Sequence, residues 1–172
     1  MARYALIRKM DISNGEGIGI SLFMQGCHFH CKNCFNPETW DFNGGKEWNE
    51  EVKKHFLKLA SNEHVNRISI LGGEPLCSEN IKEIIDLCKN IKSLYPNKRI
   101  WLYSGYTYEE IRRDIHKAEI LLHIDILVDG LYKDELQDFK LYYRGSSNQR
   151  VIDVQKSNAL SINEVVTLYE SL

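Results

Sequence analysis

The spacing of apolar positions changes period several times along the chain, and each change marks an expected element. Residues 17–24 (GIGISLFM) read as a buried strand. Residues 25–46 then lose all periodicity, so they predict a long loop of the kind that carries function. From 49 to 60, Val52, Phe56, Leu59 and Ala60 fall at helical spacing. Residues 67–71 (RISIL) predict a second strand, closed by Gly72-Gly73. The clearest helix covers 79–94, where Ile81, Ile84, Ile85, Cys88, Ile91 and Leu94 form one apolar stripe and Pro96 lies just beyond. A third strand is expected at 99–103 (RIWLY), and Thr107 with Glu110 has the spacing of a capping box that starts a helix. Residues 124–128 (IDILV) predict a fourth strand ending at Asp129-Gly130. Ser161 and Glu164 repeat the capping-box spacing, predicting a final short helix that contains Val165, Val166 and Leu168.

Strands alternating with helices imply βαβ units, an α/β class and a largely parallel sheet with right-handed crossovers. With no internal repeat, low-complexity tract or linker, residues 1–172 read as a single domain. Ligands in such folds sit at the carboxyl ends of the strands. The chemically special residues fall there. Cys27 to Cys34 follow the first strand, Gly72 to Pro75 the second, Ser104-Gly105 the third and Asp129-Gly130 the fourth. That placement points to one shared site.

Composition narrows the class further. The chain is 43% hydrophobic and 27% charged with a net charge of -2, which argues against a general nucleic-acid binder. The opening MARYALIRKMD holds no apolar run long enough for a membrane span or signal peptide, so no membrane association and a cytoplasmic location are expected. In a reducing compartment structural disulfides are rare, and three of the five cysteines crowd into eight residues, as metal or cluster ligands do.

Those three, Cys27, Cys31 and Cys34, form a C-x-x-x-C-x-x-C run. Three thiolates on one loop can hold three corners of an iron–sulfur cube and leave the fourth iron open to a substrate. A carrier cluster takes four cysteines. The same spacing also suits a zinc site of Cys3His type, with His28, His30 or His64 as the fourth ligand. Cys88 reads as a core residue on its helical stripe, and Cys77, close after Pro75, reads as structural with a fourth thiolate near the site as the alternative. Gly72-Gly73-Glu74-Pro75 is either a plain strand-ending turn or a place where a ligand approaches bare backbone beside a carboxylate. The run Arg144 to Arg150 has the composition of a polar surface loop, and Asp129 is either a strand-end turn residue or a polar group near the bound ligand.

Taken together, the cysteine triad, Phe35 directly after it, and Gly72-Gly73-Glu74-Pro75 resemble the radical S-adenosylmethionine superfamily. The resemblance narrows with Asn14-Gly-Glu-Gly17, Ser21 to Cys27, Pro37 and Trp40, which look like the opening of glycyl-radical-enzyme activases. Tyr103 to Thr107, Val128 to Gly130 and Arg144 to Arg150 resemble the subgroup that activates anaerobic (class III) ribonucleotide reductase. The matches run from about residue 14 to 154, and Glu16 departs from the Pro of many relatives.

That resemblance implies an open partial (β/α) barrel with mostly parallel strands. It implies a 4Fe-4S cluster on Cys27, Cys31 and Cys34, and S-adenosyl-L-methionine held against Asn33, Cys34, Phe35, Gly72, Gly73 and Glu74. The implied activity is that of a radical oxidoreductase. Reductive cleavage of the cosubstrate would generate a glycyl radical in the partner reductase, with the electron supplied by a donor such as flavodoxin or ferredoxin. The alternatives are an activase of another glycyl radical enzyme, such as pyruvate formate-lyase, an electron-transfer iron–sulfur protein, or a non-catalytic zinc module.

Overall fold

The structure, a computed structural model, describes residues 1–161 and 163–170. In chain order it contains β1 (Arg3–Asp11), β2 (Gly19–Gln25), β3 (Lys46–Glu47), α1 (Glu50–Ala60), β4 (Arg67–Gly72) and α2 (Ile81–Leu94). Then follow β5 (Arg99–Tyr103), α3 (Tyr108–Arg113), β6 (Ile126–Asp129), β7 (Arg150–Asp153), α4 (Val154–Asn158) and β8 (Val166–Leu168). The strands make one mixed eight-stranded sheet in the order β3-β1-β2-β4-β5-β6-β7-β8, which does not close on itself.

The four strands expected from the sequence are its centre. β2, β4, β5 and β6 pair parallel in that order. β2 is buried at every residue, which is why its sequence reads as a continuous apolar run rather than an alternation. The helices between them follow their local signals. Asn49 caps α1 by accepting from the Val52 N–H at 2.9 Å. Thr107 and Glu110 form the expected reciprocal capping box on α3. α2 buries Ile81, Ile84, Leu87, Cys88 and Ile91, whereas Leu94 is 54% exposed at its last turn.

Two expectations need correction. The sheet is parallel only at its centre, because β1 and β3 on one flank and β7 and β8 on the other pair antiparallel. A short link joins β1 to β2, and no helical crossover lies between β6 and β7, so each of these chains turns back on its neighbour. The final segment is also a strand rather than a helix. Glu164 N–H bonds the Ser161 carbonyl at 3.0 Å in a turn. Val166 to Leu168 then pair along the open edge of β7. The β-branched Val165, Val166 and Thr167 favour that outcome over a helix.

Candidate active site

The loop carrying the cysteines is fixed at its root by backbone hydrogen bonds. Gly26 N–H donates to the Thr39 carbonyl at 2.6 Å and Cys27 N–H to the Trp40 carbonyl at 3.2 Å. The Gln25 side chain holds the same return segment, donating to the carbonyls of Glu38 and Asp41 at 3.0 and 2.8 Å. The end of β4 is stitched to that root, with Gly73 N–H on the Met24 carbonyl at 2.9 Å and Glu74 N–H on the Gly26 carbonyl at 2.8 Å. This close approach requires glycine. A Cβ on Gly73 would lie 2.4 Å from the Gly26 carbonyl oxygen, and Gly72 has φ +107°.

Beyond the root the loop coils tightly, with His30 and Asn33 in the left-handed region at φ +49° and +57°. Cys34 N–H bonds the Cys31 carbonyl at 3.1 Å, and Asn36 N–H points at the Cys34 sulfur at 3.4 Å. Cys27, Cys31 and Cys34 all line one cavity of about 670 Å³, together with Phe35, Gly72, Gly73 and Glu74. Burial raises the thiol pKa values of Cys27 and Cys31, and nearby negative charge raises them further, from Glu74 and Cys34 on Cys27 and from Cys34 and Cys27 on Cys31. Such a set is penalised as bare thiolates and relieved by a cationic centre, which fits an iron–sulfur core. Among the described residues, no three His, Cys, Asp or Glu side chains converge on one point where a single metal ion could sit; the thiolates of a cluster bind different irons and stand farther apart.

The remaining sequence candidates separate cleanly. Phe35 is 57% exposed at the cavity mouth, packing on Tyr132 at 4.9 Å and against Gly145. Asn33 lies outside the cavity lining and turns its amide to Asp134 at 2.9 Å. Glu74 lines the cavity yet is only 2% exposed. Its Oε1 accepts from Leu76 N–H at 3.0 Å and Ser104 Oγ at 2.7 Å, and its Oε2 from Gly105 N–H at 2.8 Å. The carboxylate therefore bolts the end of β4 to the end of β5. Burial pushes its pKa up to about 7 despite those three donors and the Lys117 charge.

Cys77 and Cys88 are buried outside the cavity lining, and burial pushes the Cys77 thiol up to about 12. His28 bonds Glu79 at 2.7 Å and packs on Phe42, His30 stacks flat on Trp40 at 4.4 Å, and His64 is exposed beside Glu63. Asp129 accepts from Tyr108 N–H at 2.7 Å and pairs with Arg150, which also grips Glu109 at 2.7 Å. That makes Asp129 a brace for α3 and β7. Sequence reasoning assigned no role to Arg144 or to the indole of Trp40. Both line the cavity, and Arg144 Nε and Trp40 Nε1 are buried with no hydrogen-bond partner.

Residues 13–152 match a family model described as a 4Fe-4S single cluster domain, which is the class this fold and loop define. The chain is 34% identical over 141 residues to the anaerobic ribonucleoside-triphosphate reductase-activating protein of Pasteurella multocida, covering 81% of this chain and 89% of that one. The protein of the same name from Enterobacteria phage T4 is 35% identical over 148 residues, covering 86% and 92%. The one from Escherichia coli is 34% identical over 144 residues, covering 83% and 92%. This chain belongs to the family of anaerobic ribonucleoside-triphosphate reductase-activating proteins.

Proposed function

We propose that the protein activates an anaerobic ribonucleotide reductase by placing a glycyl radical in it, and that its open sheet is a partial barrel of radical S-adenosylmethionine type. In this reading Cys27, Cys31 and Cys34 hold a 4Fe-4S cluster with one iron free of protein ligand. The observation that carries it is the single cavity shared by those three sulfurs and the bare Gly72-Gly73 backbone, while Cys77 and Cys88 are buried outside its lining. Once bound and reduced by a donor such as flavodoxin or ferredoxin, the cluster would supply the electron for reductive cleavage of S-adenosylmethionine, the chemistry that would place the radical on a glycine of the reductase.

The chain's own residues bind and orient. Gly72 and Gly73 let the cosubstrate approach the backbone, and Phe35 at the mouth offers an apolar face to its adenine. Glu74 has used three of about four lone-pair directions, which leaves one for the methionine ammonium. Arg144 has a buried Nε with no partner among the described residues, which suits a carboxylate. The mouth is rimmed by exposed Phe35 and Phe139, which a docked reductase would cover, keeping water from the radical.

The test is an anaerobic assay with the cognate reductase. Reduced, cluster-loaded protein with S-adenosylmethionine should produce a glycyl-radical doublet in the electron paramagnetic resonance spectrum. Replacing the reductase's radical glycine by alanine should abolish the doublet without preventing complex formation. An intact cluster and a cognate complex that yield no protein radical would overturn the assignment.

A further inference from the structure

Trp40 is positioned by two contacts with the cysteine loop and satisfied by neither. Its backbone carbonyl accepts from Cys27 N–H at 3.2 Å. Its ring lies flat on His30, at 4.4 Å between centroids and 9° between planes. His30 sits in the chain between Cys27 and Cys31, so the indole is clamped to the stretch of loop that bears those sulfurs. Trp40 lines the same cavity as the three cysteines. Its Nε1–H is buried, yet it reaches no acceptor among the described residues, the cysteine sulfurs included. Indole N–H is a donor only, and leaving it buried and unpaired is costly. The carbonyl bond anchors the Trp40 backbone and the stack on His30 holds one face of the ring, which limits how far the N–H can swing away.

On the reading that a 4Fe-4S cluster sits on Cys27, Cys31 and Cys34, we infer that the Trp40 indole N–H donates a hydrogen bond to a sulfur of that cluster. It thereby sets how readily the cluster accepts its electron. A cluster carrying anionic sulfurs is the acceptor this wall of the cavity lacks. Adding an electron makes those sulfurs more negative, so an N–H donor stabilises the reduced form more than the oxidised form and raises the potential. Trp40 is a positioning and tuning residue in this account, with no bond made or broken at its own atoms.

The experiment uses anaerobically reconstituted full-length protein without cosubstrate. Trp40→Phe keeps an aromatic ring for His30 and removes the N–H. A second variant carries 3-benzothienylalanine at position 40, which keeps the size and shape of indole with sulfur in place of N–H, and it decides the matter if Trp40→Phe loads iron poorly. Both variants should bind the wild-type amount of iron and sulfide but be harder to reduce. A fall of about three- to tenfold in the ratio of reduced to oxidised cluster at fixed potential is expected, the upper end being about 59 mV for one electron. Electron–nuclear double resonance on the reduced wild-type cluster should show an exchangeable proton coupling, and a nitrogen coupling from 15N-indole tryptophan, that both variants lose. An unchanged potential with the couplings retained would overturn the inference while leaving the cluster assignment standing. Wild-type protein that takes up no iron and sulfide would instead remove the parent reading.

Discussion

Asp11 and Glu74 are both buried carboxylates, placed at opposite ends of the central strands. Asp11 ends β1 opposite the first residue of β2 and beside Arg67, where β4 begins. Burial there pushes its carboxyl up, but donors from the Ser21 hydroxyl, Ser13 N–H, the Asn14 amide and the Ser13 hydroxyl outweigh that and hold it at about 2. The buried Arg67 guanidinium lies 3.8 Å away and bonds Ser69 and the carbonyls of Asp11, Glu16 and Gly17. At the other end Glu74 has three donors and burial still wins, holding it at about 7. Around it stand thiols with raised pKa and the unpaired Trp40 and Arg144 nitrogens. One end of the sheet is electrostatically complete within the chain. The other keeps buried donor nitrogens with no partner among the described residues, and that incompleteness is what separates a site from a scaffold.

The sharpest way to test the contrast is to remove ligands from the incomplete end. Cys27→Ala, Cys31→Ala or Cys34→Ala should each abolish binding of about four iron and four sulfide per chain, measured after anaerobic reconstitution, while Cys88→Ala should not. At the complete end, Arg67→Met should leave a buried carboxylate without its cation and cost about 3 kcal/mol or more in urea denaturation. Persistence of wild-type stability would show that the hydrogen bonds to Asp11 suffice alone.

Glu74→Gln should weaken S-adenosylmethionine binding by about tenfold or more in titration, with iron and sulfide content unchanged. The same carboxyl predicts a pH dependence for the wild type. Below about 7 Glu74 holds a proton that must leave before it can bind an ammonium, so affinity should rise with pH and level off above 7.

The smallest effect is on stability against pH, and its sign differs at the two ends. The folded Asp11 value lies below its ordinary 3.8, so its contribution is present above 3.8 and lost as pH falls towards 2. The folded Glu74 value lies above its ordinary 4.5, so its contribution is full below 4.5 and lost as pH rises to about 7. Urea midpoints across both windows, for wild type and for Asp11→Asn and Glu74→Gln, would separate the two slopes.

The legible parts of the fold were those with strong local signals. β2, β4, β5 and β6 are compact apolar runs, α2 has a clear stripe, and α3 has its capping box. β1 was not legible, because its burial alternates irregularly along RYALIRKMD and two register shifts interrupt its pairing. β8 was misread because a capping-box spacing is local, whereas the free edge of β7 that claims Val166 to Leu168 is not. In the site, the cysteines and glycines showed in the chain as motifs. The duties of Asp129 and Arg150, the bolt made by Glu74, and the idle nitrogens of Trp40 and Arg144 did not, because each depends on which partner lies across space.

The cysteine loop is fastened at its root by backbone bonds from Gly26, Cys27 and Glu74, and farther out by side chains, His28 on Glu79 and Asn33 on Asp134. Between Cys27 and Cys34 the described backbone carries just the Cys34-to-Cys31 bond. None of these fastenings uses a cysteine sulfur, so the cradle can form before any iron arrives. Cluster assembly is then expected to be a late insertion into a folded protein rather than a condition for folding. A molecule stripped of iron by oxygen should be repairable in place, without passing through synthesis again.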